Sequence, residues 1–442
     1  MLELKEVPTR VWGSTGLLVI GRLWRSVCTL VVLYVTARRL PPDDFGRFTF
    51  YLAVFMLLDS LADMGTANAS IQWTAEHPER VPAVLRLARR TRLFMGAVGM
   101  LLVTAGTLVT GEPGAVWIIL ASAYPMTHAL ELSNLVFKNR IDWRRPVLIR
   151  AVAAALSLTF VLALLAGGSR SPAQFLFAYA AGSVIGNLLQ HLVSRHLLTQ
   201  AAKDSEGVAL RPFLWSALPM GIAGLCQQTY FYVDNLFIRA QLGETPLGHY
   251  NIAMRVMSYA IMVAVFAPLA ALPWLTREAG KGQLGRALTD LSQPLFALAG
   301  LGTGLVWPFC EPLLALFGDD FVAAAPSLRW LLFACAAVYL GAPWLTGVVA
   351  SGRSASVLAV ALVGLAFNLV ANSLWIPRHG IEGAAAATFG TEIVVAAGAL
   401  FSLARAGAAL PLHRRPWAWL IGPLLFALGR TLSDTIFQLA AA

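Results

Sequence analysis

Long apolar runs separated by short polar clusters repeat along the whole chain. A helix needs about 20 consecutive apolar residues to cross a hydrocarbon layer of about 30 Å. Breaking the chain at its polar, proline and glycine clusters predicts twelve helical spans, near 11–37, 45–71, 93–111, 114–137, 147–167, 172–198, 212–240, 246–275, 287–310, 323–350, 355–377 and 381–408. A further piece, Trp417 to about Leu439, is interrupted by Arg430 and Asp434 and reads as a thirteenth span or an interfacial helix. Its Trp417 and Trp419 suit the membrane interface. A transmembrane barrel would alternate apolar and polar residues in runs of about ten, whereas these runs are continuous. The pattern predicts an all-α polytopic membrane protein.

Composition agrees. Apolar residues make up 58% of the 442 and charged residues 13%, where a soluble domain carries about 25% charged residues. Mean hydropathy is +0.68. The net charge of +10 could point to nucleic acid, but its placement points to a membrane. With the N-terminus in the cytoplasm, 22 of the 33 Lys and Arg fall in loops on that side. These include Arg80 to Arg92, Lys138 to Arg150, and Arg405, Arg414 and Arg415. Six fall opposite, and five lie within or at the edges of spans. That bias is the positive-inside rule, and the basic loops face anionic inner-leaflet lipid. The first apolar stretch is too long for a signal-peptide core and carries Arg22 and Arg25. Cys28, Cys226, Cys310 and Cys335 show no metal-ligand spacing.

Two connectors share a pattern. "LPPDDFGRF" (40–48) and "LGETPLGHY" (242–250) each read Leu, five residues, Gly, one residue, aromatic, and both fall on the outer side. Gly46 and Gly248 are expected to permit a tight turn there. Six spans separate the two connectors, so the halves have the same orientation. This is a parallel repeat, with a substrate path expected between halves. The expected organisation is an N-terminal six-helix lobe over 1–200, a cytoplasmic linker over 201–211, a C-terminal six-helix lobe over 212–410 and a last helix within 411–442.

The stretch "ARRLPPDDFGRFTFYLAVFMLLDSLADMGTANASIQ" resembles the opening of Wzx-type polysaccharide exporters of the MOP superfamily, which have a MATE-like fold. "WSALPMGIAGLCQQTYFYVDNLFIRAQLGETPLGHYNIAMRVMSYAIMVAVFAPLAALPWL" is similar to the start of their second half, and "NLVANSLWIPRHGIEGAAAATFGTE" to their spans 11 and 12. The resemblance runs to about residue 408. It implies a flippase moving polyprenyl-pyrophosphate-linked oligosaccharide repeat units across a bacterial inner membrane by alternating access. It also implies surface-polysaccharide polymerases as partners and H⁺ or Na⁺ as a coupling ion. A MATE-type cation-coupled antiporter of small molecules and a lipid II flippase are the alternatives.

Ionisable residues at membrane depth default to functional hypotheses. Arg22 and Arg25 lie three apart on one helix face, roughly 16–21 Å from the inner end of span 1. With Arg255 of span 8 they form a candidate cradle for the pyrophosphate, since guanidinium forks match phosphate oxygens. The structural reading pairs Arg22 or Arg25 with Asp59 or Asp63, and Arg255 with Asp234. Asp59 and Asp63, i and i+4 on span 2, are candidates for holding a coupling ion; alternatively, Asp63–Met64–Gly65 ends or kinks that helix. Glu131, Asp234 and Glu392 are candidate lumen or ion-coupling residues, and Asn368 and Asn372 read as interhelical bonding partners. No catalytic set, metal site or phosphate-binding glycine loop appears, so neither an enzyme nor a bound cofactor is expected.

Overall fold

The computed structural model describes residues 7–76, 80–134, 144–201, 209–407 and 421–441, and every regular element among them is helical. Contacts divide the chain into two units, Met1–Leu225 and Cys226–Ala442. The division falls inside a helix, about fourteen residues beyond the sequence-derived linker.

In the N-terminal unit, α1 (Val7–Arg39) is followed by α2 (Pro42–Asp63) and α3 (Thr66–Glu76). The break between α2 and α3 is written locally. Met64 and Gly65 both take positive φ, 39° and 76°, and the Asp63 carboxylate accepts from Ala67 N (3.0 Å) and Thr66 Oγ1 (3.1 Å). Asp63 thus ends one helix and caps the next. Next come α4 (Val81–Thr110), the short α5 (Ala115–Ala121) and α6 (Ala123–Glu131), a 3₁₀ turn at Leu132–Asn134, α7 (Arg144–Ala166) and α8 (Pro172–Ala201). Small residues let these helices approach closely. A Cβ on Gly182 would lie 2.7 Å from Ser157 Cα, and one on Gly96 would lie 2.6 Å from Met126 Cα. Ser157 Oγ donates to the Tyr179 carbonyl at 2.8 Å, tying α7 to α8. The first part of α9 (Leu210–Leu242) completes this unit: Phe213 and Ala217 join Ala69, Val84, Leu85 and Ala88 in one buried cluster.

The C-terminal unit holds the rest of α9, then α10 (Glu244–Ala260), α11 (Met262–Gly280), α12 (Leu284–Val306) and α13 (Cys310–Ala315). It ends with α14 (Ala325–Ala350), α15 (Ser354–Arg405) and α16 (Ile421–Ala441). At 1.5 Å per residue, the 52 residues of α15 would run about 78 Å, more than two membrane thicknesses. Gly380, at φ 59° and ψ −141°, breaks it in the gap left between the predicted spans 355–377 and 381–408. The last helix docks on α12 through glycine: a Cβ on Gly304 would lie 3.0 Å from Phe426 Cα, and one on Gly429 would lie 3.0 Å from Leu305 N.

Nine helical segments among the described residues are long and apolar enough to cross a membrane. Relative to the twelve sequence-derived spans, 355–408 counts as one segment. Span 114–137 is split into short helices and runs partly outside the described residues, and α9 is long but less apolar. Large apolar side chains such as Phe94 (68% exposed) and Val109 (86%) cover the outer faces, as lipid requires.

The connectors differ from expectation in one respect. Gly46 and Gly248 are not turn residues; both are buried within helices, α2 and α10. The bends come earlier, at Leu40–Pro41 and at Gly243, whose φ is 92°. The shared Gly-x-aromatic pattern serves packing instead: Phe48 and Tyr250 are almost wholly buried.

Candidate functional site

A cavity of about 450 Å³ lies inside the N-terminal unit. Its walls come from one face of each surrounding helix. Arg25, Cys28, Thr29 and Val32 of α1 stand at i, i+3, i+4 and i+7, the spacing of a helical stripe. Tyr124, His128 and Glu131 of α6 form a second stripe, and Tyr179, Ser183, Gly186, Asn187 and Gln190 of α8 a third. Met56 and Asp59 of α2, Arg92 of α4, and Arg150, Ala153, Ala154 and Ser157 of α7 close it. Small side chains at Ala153, Ala154 and Ser157 of α7 and at Ser183 and Gly186 of α8 leave room between the larger polar ones.

Ion pairs organise most of its charge. Arg92 bonds the Asp63 carboxylate through Nε (3.1 Å) and Nη2, and also donates to the His128 carbonyl at 3.3 Å. Arg150 pairs with Glu131. His128 Nδ1 lies 2.5 Å from Asp59 Oδ1, and its ring packs edge-on against Tyr124 at 4.4 Å between centroids. Arg25 has the tyrosines Tyr124 and Tyr179 as electrostatic neighbours and, among the described residues, no acidic partner. It is the cavity arginine left available to an incoming anion.

The sequence-derived candidates separate accordingly. Arg25 lines the cavity, whereas Arg22, one turn earlier, is exposed and outside the lining. Neither takes Asp59 or Asp63, which are held by His128 and Arg92. The two carboxylates are thus held by different helices, Asp63 by α4 and Asp59 by α6. Glu131 lines the cavity.

Three residues escaped the sequence reading. Arg92 and Arg150 were counted with the inner loops, but α4 begins at Val81 and α7 at Arg144, so both lie within helices and face inward. Each has a carboxylate to meet inside, and that pairing offsets the cost of burying it. His128 stood three residues before Glu131, the spacing of one helix face, and that was the signal available.

In the C-terminal unit, Asp234 is fully buried. Its Oδ2 accepts from Tyr250 Oη, and its Oδ1 from Asn235 N (2.8 Å) and Asn235 Nδ2 (2.9 Å). Arg255 is half-buried on α10 and shows no bond to it. Glu392 is 7% exposed, beside Tyr230 and Cys335. Asn372 donates to Asn368 Oδ1 (2.9 Å) and Asn368 to Thr391 Oγ1 (3.0 Å), which binds the two segments of α15 together. No cluster of three or more His, Cys, Asp or Glu suited to a metal occurs among the described residues.

The polysaccharide biosynthesis protein family model matches residues 11–278, more than half of the chain. The MatE model matches residues 219–374. No curated protein matches. Among solved structures, the lipid II flippase MurJ in its inward closed conformation is similar at 12% identity with a TM-score of 0.71, over 95% of this chain and 98% of that one. An inward-facing multidrug resistance MATE family transporter of the MOP superfamily is similar at 14% identity and 0.68, over 87% and 95%. The Vibrio cholerae MATE transporter VcmN in its bent form gives 16% and 0.58, over 95% and 100%. These neighbours are transporters and flippases, not catalytic enzymes. The chain is a multi-pass membrane protein with the MOP-superfamily fold, and it belongs to the polysaccharide biosynthesis protein family.

Proposed function

We propose that the protein is a flippase carrying polyprenyl-pyrophosphate-linked oligosaccharide repeat units across the bacterial inner membrane by alternating access, with its N-terminus in the cytoplasm. The observation that carries this reading is Arg25: a guanidinium without an acidic partner among the described residues, lining a polar cavity within a lipid-embedded helical unit. An anionic headgroup is the cargo such a group suits, because a guanidinium stays charged and grips oxoanions with two parallel donors. Arg25 is the first contact for the pyrophosphate; Arg22, on the same helix, and Arg255, of the C-terminal unit, complete the proposed cradle. The lobes are taken as 1–200 and 212–410, with 201–211 as linker and a last helix within 411–442. Polysaccharide polymerases are the expected partners, and H⁺ or Na⁺ the coupling ion.

The MatE match over 219–374 supports a second reading, a small-molecule antiporter. A lipid II flippase would share the polyprenyl-pyrophosphate chemistry of the first. The test is deletion of the protein in its native bacterium, extraction of polyprenyl-linked glycans, and complementation. Under the flippase reading a lipid-linked repeat unit accumulates; wild type clears it, and Arg25→Ala, alone or with Arg22→Ala, does not. Normal surface glycan with no accumulated lipid would move the antiporter ahead.

A further inference from the structure

The N-terminal cavity carries a charge balance that the arginine cradle alone does not explain. Its wall arginines are Arg25, Arg92 and Arg150; the carboxylates lining it or paired with those arginines are Asp59, Asp63 and Glu131. Three stand against three, so with a neutral His128 the site is electrically neutral. A neutral ring with its proton on Nδ1 donates to an ionised Asp59, whose charge then offsets the cation of Arg25. Among the described residues no group bonds His128 Nε2, and the ring lines the cavity. Both nitrogens of a protonated ring are donors, so a proton can be accepted at Nε2 while the bond to Asp59 is kept.

We propose that His128, held by Asp59, is the proton-binding partner of the anion site at Arg25, so that one proton enters the cavity with a singly charged oxoanion group. The inference rests on the anion-binding role given to Arg25 above. Its physical basis is the cost of net charge among partly buried groups. An anion at Arg25 drives the empty, neutral cavity negative, and a proton on His128 restores neutrality. Protonating His128 without an anion leaves Arg25 uncompensated. Each event therefore favours the other.

The groups facing His128 fit this role. α2 brings Asp59 and Asp63, α4 brings Arg92, its own helix Tyr124 and Glu131, and α8 Tyr179. His191 of α8 has Arg89 and Arg195 as its electrostatic neighbours instead. Across the cavity stand Arg25 and Arg150. α5 and the 3₁₀ turn contribute no titratable side chain. Arg92, bonded to both the His128 carbonyl and Asp63, ties the backbone at His128 to α2, while Asp59 and Tyr124 hold the ring. Histidine is the side chain that ordinarily changes charge between about pH 5 and 8.

The test uses the full chain in lipid nanodiscs and calorimetric titration in two buffers of different ionisation enthalpy, from about pH 5.5 to 8. Three probes keep a fixed charge over that range: citronellyl-pyrophosphoryl-N-acetylglucosamine, methyl glucuronoside, and the uncharged citronellyl N-acetylglucosaminide. For the two anions we expect close to one proton taken up and a Kd that tightens by up to about tenfold per pH unit as pH falls. The neutral probe should show neither effect. His128→Gln should abolish the proton uptake and flatten the pH profile while anions still bind; Asp59→Asn tests the same pair from its other side. A pH-independent Kd in wild type, or unchanged uptake in His128→Gln, overturns the inference and leaves the flippase reading standing. Proton-linked binding of the glucuronoside without binding of the pyrophosphoryl probe keeps the linkage and overturns the pyrophosphate reading. Failure of both anions to bind overturns both.

Discussion

If the N-terminal cavity receives an anion, its affinity must follow the charge of the cavity walls, including walls that do not touch the ligand. The Arg150–Glu131 pair supplies the perturbation. A sphere of 450 Å³ has a radius of about 5 Å, and wall atoms stand about 3 Å beyond it, so an anion at the centre lies about 8 Å from each wall charge. At an effective dielectric of about 20, one unit charge at that distance is worth about 2 kcal/mol, or about thirtyfold in Kd. Arg150→Gln removes a positive wall charge and leaves Glu131 uncompensated, so anion binding should weaken about thirtyfold. Glu131→Gln should tighten it by a similar factor. The double variant removes no net charge and should bind within about threefold of wild type, because the two substitutions act on one pair. The assay is titration of nanodisc-embedded protein with citronellyl-pyrophosphoryl-N-acetylglucosamine at 0.15 M salt, with thermal melting run beside it to detect unfolding. Opposite signs for the two single variants and cancellation in the double are the signature. If both singles weaken binding equally, or Glu131→Gln does not tighten it, the cavity is not where the anion sits.

Further predictions concern packing. Gly65 has φ 76° and its added Cβ would lie 2.7 Å from Gly221 N, whereas Gly168 has φ 78° with open space around it. Gly168→Ala should therefore cost only the left-handed backbone penalty, about 1–2 kcal/mol. Gly65→Ala should add about 1–3 kcal/mol of overpacking and melt several degrees lower in a detergent thermal-shift assay; equal melting temperatures would sink the close-approach reading. Gly304→Leu should lower the melting temperature of the full chain but leave a chain truncated before Ile421 unaffected, since the clash is with the backbone of Phe426. Asp234→Ala leaves the buried Tyr250 hydroxyl and Asn235 amide without their acceptor and should cost about 2–4 kcal/mol. Tyr250→Phe, which removes one donor from a carboxylate that keeps two others, should cost less in the same melting assay.

The apolar run lengths determined the membrane class, and the Lys and Arg distribution set an expected orientation, because both rest on transfer of side chains between water and lipid and need no knowledge of partners. Local chemistry was equally legible where it acts on its own backbone: Asp63–Met64–Gly65 ends α2, and Gly380 divides α15. What the sequence could not decide was pairing. Arg92 lies 29 residues from Asp63, and Arg150 lies 19 from Glu131. Nothing in their local pattern distinguishes such arginines from basic loop residues, since each is placed inside by a carboxylate on another helix. The same holds for His128 and Asp59, 69 residues apart. Arg25 was singled out for its depth, yet its lack of an acidic partner became visible only once the other charges had found theirs. Charge at membrane depth is read from the chain; which charge is left without a direct partner is a property of the helices packed around it.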